Sequence, residues 1–133
     1  MDFDRVTSLS LQPIYDGITS EVSKLNDNVF GLLMDIVCDD TPELRSLYET
    51  IGKDIYDIIC FLCQYSRKPI LEELALYQKN PYGYTKEILQ PLVNYHLQYC
   101  VNLDILRELY YKFYNINQMF EQDTFKFDEE LFI

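Results

Sequence analysis

The chain has 133 residues, 48% hydrophobic and 25% charged, which are values of a globular domain and not of a disordered segment. Acidic residues outnumber basic ones 22 to 11, and the net charge of −11 excludes ordinary binding to nucleic acid or to anionic membranes. No apolar run approaches the roughly 20 residues that span a bilayer, so no membrane insertion is expected.

One domain over residues 1–133 is expected, with 1–9 as an N-terminal arm and 122–133 as an acidic, aromatic C-terminal segment. The opening MDFDRVTSLSL puts acids where a secretory signal needs base, which predicts an intracellular, cytoplasmic chain. Its four cysteines would then be reduced. Twelve tyrosines stand against no tryptophan. Most are expected at the core boundary, ring inside and hydroxyl wet, although tyrosine is also enriched where proteins meet.

In chain order, Leu11, Ile14, Tyr15, Ile18, Val22 and Leu25 form a helical stripe, with Ser10 as cap and Pro13 in the first turn. Asn26-Asp27 is expected to break that helix and open a second, shorter one through Val29, Phe30, Leu33 and Val37. The next stretch, Thr41 to Ser66, is expected to be the buried axis of the domain. Thr41 caps it, Pro42 suits its first position, and Leu44, Leu47, Tyr48, Ile51, Ile55, Ile58, Ile59 and Leu62 keep helical spacing. From Ile55 to Cys63 its polar face nearly vanishes, and a helix apolar all round must be covered all round.

Pro69 opens a predicted short helix through Leu71, Leu74 and Tyr77. Asn80-Pro81-Tyr82-Gly83 reads as a turn, after which Thr85 caps a helix carrying Ile88, Leu89, Leu92, Tyr95, His96 and Tyr99 along one side. Pro91 should kink that helix or delay its regular start. Asn102 caps a long last helix with Leu106, Leu109, Phe113, Asn117 and Phe120 on its core stripe. No stretch has period two, and the sum is an all-α bundle of six to seven helices.

Little of this carries chemistry. There is one histidine, His96, no phosphate-cradling glycine loop and no nucleophile elbow, so no enzyme and no cofactor are expected. Cys60-x-x-Cys63 with His96-x-x-x-Cys100 has the composition of a zinc set. Both pairs lie in the most apolar parts of their helices, where reduced cysteine acts as a small hydrophobe. No metal is expected.

Leu44-x-x-x-Tyr48-x-x-Ile51-Gly52-Lys53-Asp54-Ile55 resembles the third homology motif of the B-cell-lymphoma (Bcl) family of apoptosis regulators. There, four apolar residues flank a small residue followed by aspartate; here Lys53 takes the aspartate position. Gln122-Asp123-Thr124-Phe125 resembles the Trp-Asp-Thr-Phe of the second motif, with Gln122 for tryptophan. The Asn-Trp-Gly-Arg of the first motif is missing, Asn80-Pro81-Tyr82-Gly83 or Thr85-Lys86 being nearest to its place. Small viral members of the family depart in the same way. The resemblance implies a groove for an amphipathic death-motif helix, walled by Tyr48, Ile51, Ile55, Leu89 and Val93, with Lys86 or Arg67 for the family's groove arginine.

The expectation is therefore a protein-interaction module, an inhibitor of apoptosis that sequesters a partner helix. Two readings compete with it. One is an acidic decoy that imitates nucleic acid through clusters such as Asp35, Asp39, Asp40 and Glu43. The other is a structural subunit or homodimer built on Tyr110-Tyr111-Lys112-Phe113-Tyr114.

Overall fold

A computed structural model describes the backbone of residues 3–66 and 80–131 and the side chains of residues 11–65 and 80–121. Four helices and no strand occur among the described residues. Helix α1 is Phe3–Cys38 and α2 is Pro42–Ser66. Helix α3 opens at Pro81–Gly83, passes through a π-helical stretch at Tyr84–Leu89 and ends as Gln90–Tyr99. Helix α4 is Leu103–Leu131. The all-α class stands, but the six to seven helices do not, because segments read as separate run together. The short helix expected through Leu71, Leu74 and Tyr77 lies outside the described residues.

The expected break at Asn26-Asp27 does not occur. Buried Leu11, Ile18, Val22, Leu25, Val29 and Leu32 follow one another at helical spacing straight through it. Asp27 is exposed, and Asn26 turns sideways to give its Nδ2 proton to Gln90 Oε1 at 2.8 Å. Asn26 is thereby not free to cap. A continuous buried stripe outweighs two weak helix formers. Helix α1 also starts seven residues before Ser10, which leaves Pro13 inside the helix and exposed.

The caps are legible. Thr41 Oγ1 accepts from the Leu44 amide at 3.2 Å, and Asn102 Oδ1 accepts from the Asp104 and Ile105 amides at 3.0 and 3.3 Å. Thr85 is different. It sits inside α3, fully buried, and its hydroxyl donates to the Tyr82 carbonyl at 2.9 Å. The helix has already begun at Pro81, a residue suited to a first turn. The π stretch precedes Pro91, with the Gln90 amide reaching back five residues to the Thr85 carbonyl. That wider turn gives the proline ring room, and the regular α-helix resumes only at Gln90.

Contacts set the directions. Gly17 faces Tyr110 and Glu21 faces Asn117, so α1 and α4 run parallel. Gly52 meets Pro81 and Tyr65 meets His96, so α2 and α3 run parallel to each other. The Lys112 ammonium lies 5.1 Å from the Phe61 ring, while Asp54 and Met119 line one cleft, which makes α2 antiparallel to α4. The bundle is up, down, down, up.

The most extensive helix pair is α1 with α4, not a central α2. The expected jacket around α2 is incomplete: Tyr56 is 38% and Tyr65 45% exposed, and Asp57 is open to water. Ile51, Ile55, Ile58, Ile59 and Leu62 take its buried side. Tyrosines also depart from expectation. Among the described ones only Tyr84 is buried, while Tyr56, Tyr65, Tyr95, Tyr99, Tyr111 and Tyr114 are exposed.

Two glycines of α1 make opposite predictions. A Cβ on Gly31 would meet nothing within 4 Å, whereas one on Gly17 would stand 3.1 Å from Tyr110 Cε2. Gly31→Ala should therefore gain the full helix-propensity term of about 1 kcal/mol. Gly17→Ala should gain less or lose, because Tyr110 is held between the Tyr111 and Tyr114 rings and must shift. Urea midpoints of the two variants decide it.

Candidate functional site

One face of α2 carries Arg45, Tyr48, Glu49, Gly52, Lys53 and Tyr56, at offsets of three and four that bring them into line. Opposite stand Pro81 and Tyr84 from the start of α3. Between them lies an open cleft of about 460 Å³ with a mainly apolar lining. Gly52 lies directly under Pro81: the proline ring sits 3.4 Å from where a Cβ would be, ordinary contact distance. A larger residue would fill the middle of the trough.

The charges on the rim are held differently. Arg45 makes a two-pronged bond to Asp40, Nε to Oδ1 and Nη2 to Oδ2, both at 2.8 Å. This bond holds the Asp40 carboxyl below its ordinary value and raises Arg45. The α1–α2 turn thereby fastens the guanidinium at the mouth of the cleft. Glu49 and Lys53, four residues apart in the order that favours pairing, form no ion pair. Burial pushes the Tyr84 phenol up to about 12 and raises Tyr48 as well, so both stay protonated at any physiological pH. The cleft offers phenol rings and hydroxyls, not phenolates.

The residues named from the resemblance do not assemble into one groove. Tyr48 lines the cleft, but Ile51 and Ile55 lie beneath it with no exposure. Leu89 and Val93 are core, at 0% and 1% exposure, on the buried side of α3. Lys86 lies elsewhere, in a second cleft of about 320 Å³ with Ser23, Asn26, Asp27, Phe30, Tyr82 and Gln90. Its ammonium is 5.6 Å from the centre of the Tyr82 ring. Arg67 lies outside the described residues.

Tyr56, Pro81 and Tyr84 were not among the groove residues expected from the sequence. The steps of four from Tyr48 through Gly52 to Tyr56 were visible there. Their meeting with Pro81 and Tyr84 is tertiary and was not.

The metal alternative gains nothing. Among the described residues no group of three or more His, Cys, Asp or Glu side chains gathers as a metal site. Cys60 bonds instead with the Tyr56 hydroxyl, which raises that phenol, and no disulfide forms. His96 and Cys100 do share a cleft at the far end of α3. Burial lowers the His96 pKa below its ordinary 6.5, so the imidazole is neutral at pH 7. No described helix is long and apolar enough to cross a membrane.

Comparison with protein-family models, with curated proteins and with solved structures returns no match.

Proposed function

We propose that this chain is a non-enzymatic protein-interaction module that seats an amphipathic helix of a protein partner between α2 and the start of α3. The observation that carries this reading is the cleft of about 460 Å³ walled by Tyr48, Tyr56, Pro81 and Tyr84. Recognition of a helix in a groove needs an apolar trough for side chains spaced by turns, and charged edges that set its register. Arg45, Glu49 and Lys53 supply such an edge, positive, negative, positive, one turn apart. The complementary partner alternates negative, positive, negative at the same spacing. Each large apolar side chain it buries is worth about 1.5–3 kcal/mol before ordering losses.

The finer reading is a divergent, viral-type member of the Bcl family that holds the death-motif helix of a pro-apoptotic partner. Its support is the motif resemblance on α2, three of whose residues, Tyr48, Gly52 and Lys53, line the trough.

Labelled death-motif peptides titrated against the chain and followed by fluorescence test both statements. Binding is expected at micromolar concentration or below. Tyr56→Glu and Lys53→Glu should each weaken it at least about tenfold, the shift that 1.4 kcal/mol produces, without loss of helical circular dichroism. Binding by apolar anchors with a charged rim should weaken only modestly with salt, whereas an acidic decoy would release a basic partner steeply as salt rises. If no death-motif peptide binds, the finer reading falls. If no amphipathic helix binds, or both variants bind as well as the native chain, the cleft is not the site.

A further inference from the structure

The far end of α3 holds a third cleft, of about 340 Å³, between the end of α2 and the α3–α4 turn. Its walls are aromatic. Tyr65, Tyr95 and Tyr99 line it, and the rings of Tyr95 and Tyr99 stand 4.9 Å apart. No lining residue is charged at neutral pH, since the one ionisable base there, His96, is kept neutral by burial.

His96 is the chain's one histidine and is only 6% exposed, yet its Nε2 has no hydrogen-bond partner. A histidine kept only for packing normally has its buried nitrogens paired. Tyr65 meets the imidazole edge to face at the cleft, with ring centres 6.3 Å apart, and is itself 45% exposed. An exposed ring of this kind changes rotamer readily, which opens a way to the buried nitrogen.

We propose that this cleft binds a small neutral aromatic alcohol of the phenol class, its ring among the tyrosines and its hydroxyl hydrogen-bonded to His96 Nε2. Each part of the ligand answers one part of the site. The ring matches the aromatic walls, and the cleft is within the usual range for small-molecule sites, about 300–1,000 Å³. A hydroxyl both donates and accepts, so it serves either imidazole tautomer. Neutrality follows because no side chain is present to balance an ion stripped of water. An anion would also meet the field of a chain carrying −11. A quaternary ammonium would suit the rings and leave Nε2 unpaired.

Phenol, benzene and tetramethylammonium titrated separately into the full chain test this. The nitrogen resonances of the single imidazole are the readout, and they need no assignment strategy. Phenol is expected to shift them saturably and to bind about 3- to 10-fold more tightly than benzene, the ratio one net hydrogen bond supplies. His96→Phe should erase that preference. The proposal is overturned by absence of a saturable shift with phenol, by equal affinity of phenol and benzene, or by stronger binding of tetramethylammonium. The comparison in the native chain decides the matter even if His96→Phe fails to fold.

Discussion

Leu89→Glu is expected to abolish the cooperative unfolding transition and most of the helical circular dichroism at 25 °C. Leu89 has no exposure and sits among the buried residues of α1 and α2 in the core. A glutamate there must ionise without water or take up a proton, and such burial raises a carboxyl by up to 3–5 pKa units. At pH 7 the uptake of a proton caps that cost at the distance from the ordinary glutamate value, about 3–4 kcal/mol, added to roughly 1.5–3 kcal/mol of lost leucine burial. The sum approaches the whole stability of an ordinary domain, about 5–15 kcal/mol.

Val37→Glu is the control. Val37 is 78% exposed, and the change there should stay under about 1 kcal/mol. The sign of the pH effect is a second check. A glutamate whose folded pKa is raised binds its proton more tightly in the folded state, so the loss from ionisation should be larger at neutral than at acid pH and complete only above the raised value. It should shrink relative to the native chain as pH falls below that raised value, and vanish near the ordinary glutamate value of about 4.3. A Leu89→Glu chain that stays folded at pH 7 would mean that α3 turns this face to water.

The same residue shows how far the sequence carries. The stripe of α3 was legible through Ile88, Leu89, Leu92 and His96, which are buried, but not through Tyr95 and Tyr99, which are exposed. Whether such a stripe faces the chain's own core or a partner is not written in its spacing, because both surroundings demand the same residues. The caps at Thr41 and Asn102 were legible because they act within three residues of themselves. Asn26 and Asp27 misled for the opposite reason. Their local preference to end a helix is worth a fraction of a kcal/mol each, and burial of Leu25 and Val29 on either side exceeds it. The fully covered α2 was an error of the same kind. Tyr56 and Tyr65 count as hydrophobic in a stripe, yet a phenol tolerates water, and both stand partly in it. The α2–α3 cleft depends on Pro81 reaching Gly52 across 29 positions of sequence, which no local pattern encodes.

Asn117→Leu is the second large effect expected, about 3 kcal/mol of destabilisation, read as a fall of roughly 1–2 M in urea midpoint at unchanged slope. Its position on the α4 core stripe was plain from sequence; its partner was not. Asn117 is 1% exposed, and its Nδ2 donates to both the carbonyl and Oε2 of Glu21, at 2.9 and 2.7 Å. Its Oδ1 accepts from Asn28 Nδ2 at 3.1 Å. Glu21 is 7% exposed, and the Lys24 ammonium is 3.9 Å from its Oε1. Leucine at 117 would fill the space but leave a buried carboxylate without its main donor, and that unpaired group dominates the loss.

The double variant Glu21→Met/Asn117→Leu removes both polar partners and should recover most of the midpoint. A double variant as weak as the single one would place the loss in packing instead. Recovery raises the question of what the polar pair is for. The parallel stripes of α1 and α4 are built largely from leucine, isoleucine and valine, whose contacts carry no direction of their own. One buried amide that must meet one buried carboxylate and one Asn28 admits a single alignment. The double variant is therefore expected to regain its midpoint but to unfold over a wider range of urea, because helices released from that peg can occupy more than one register.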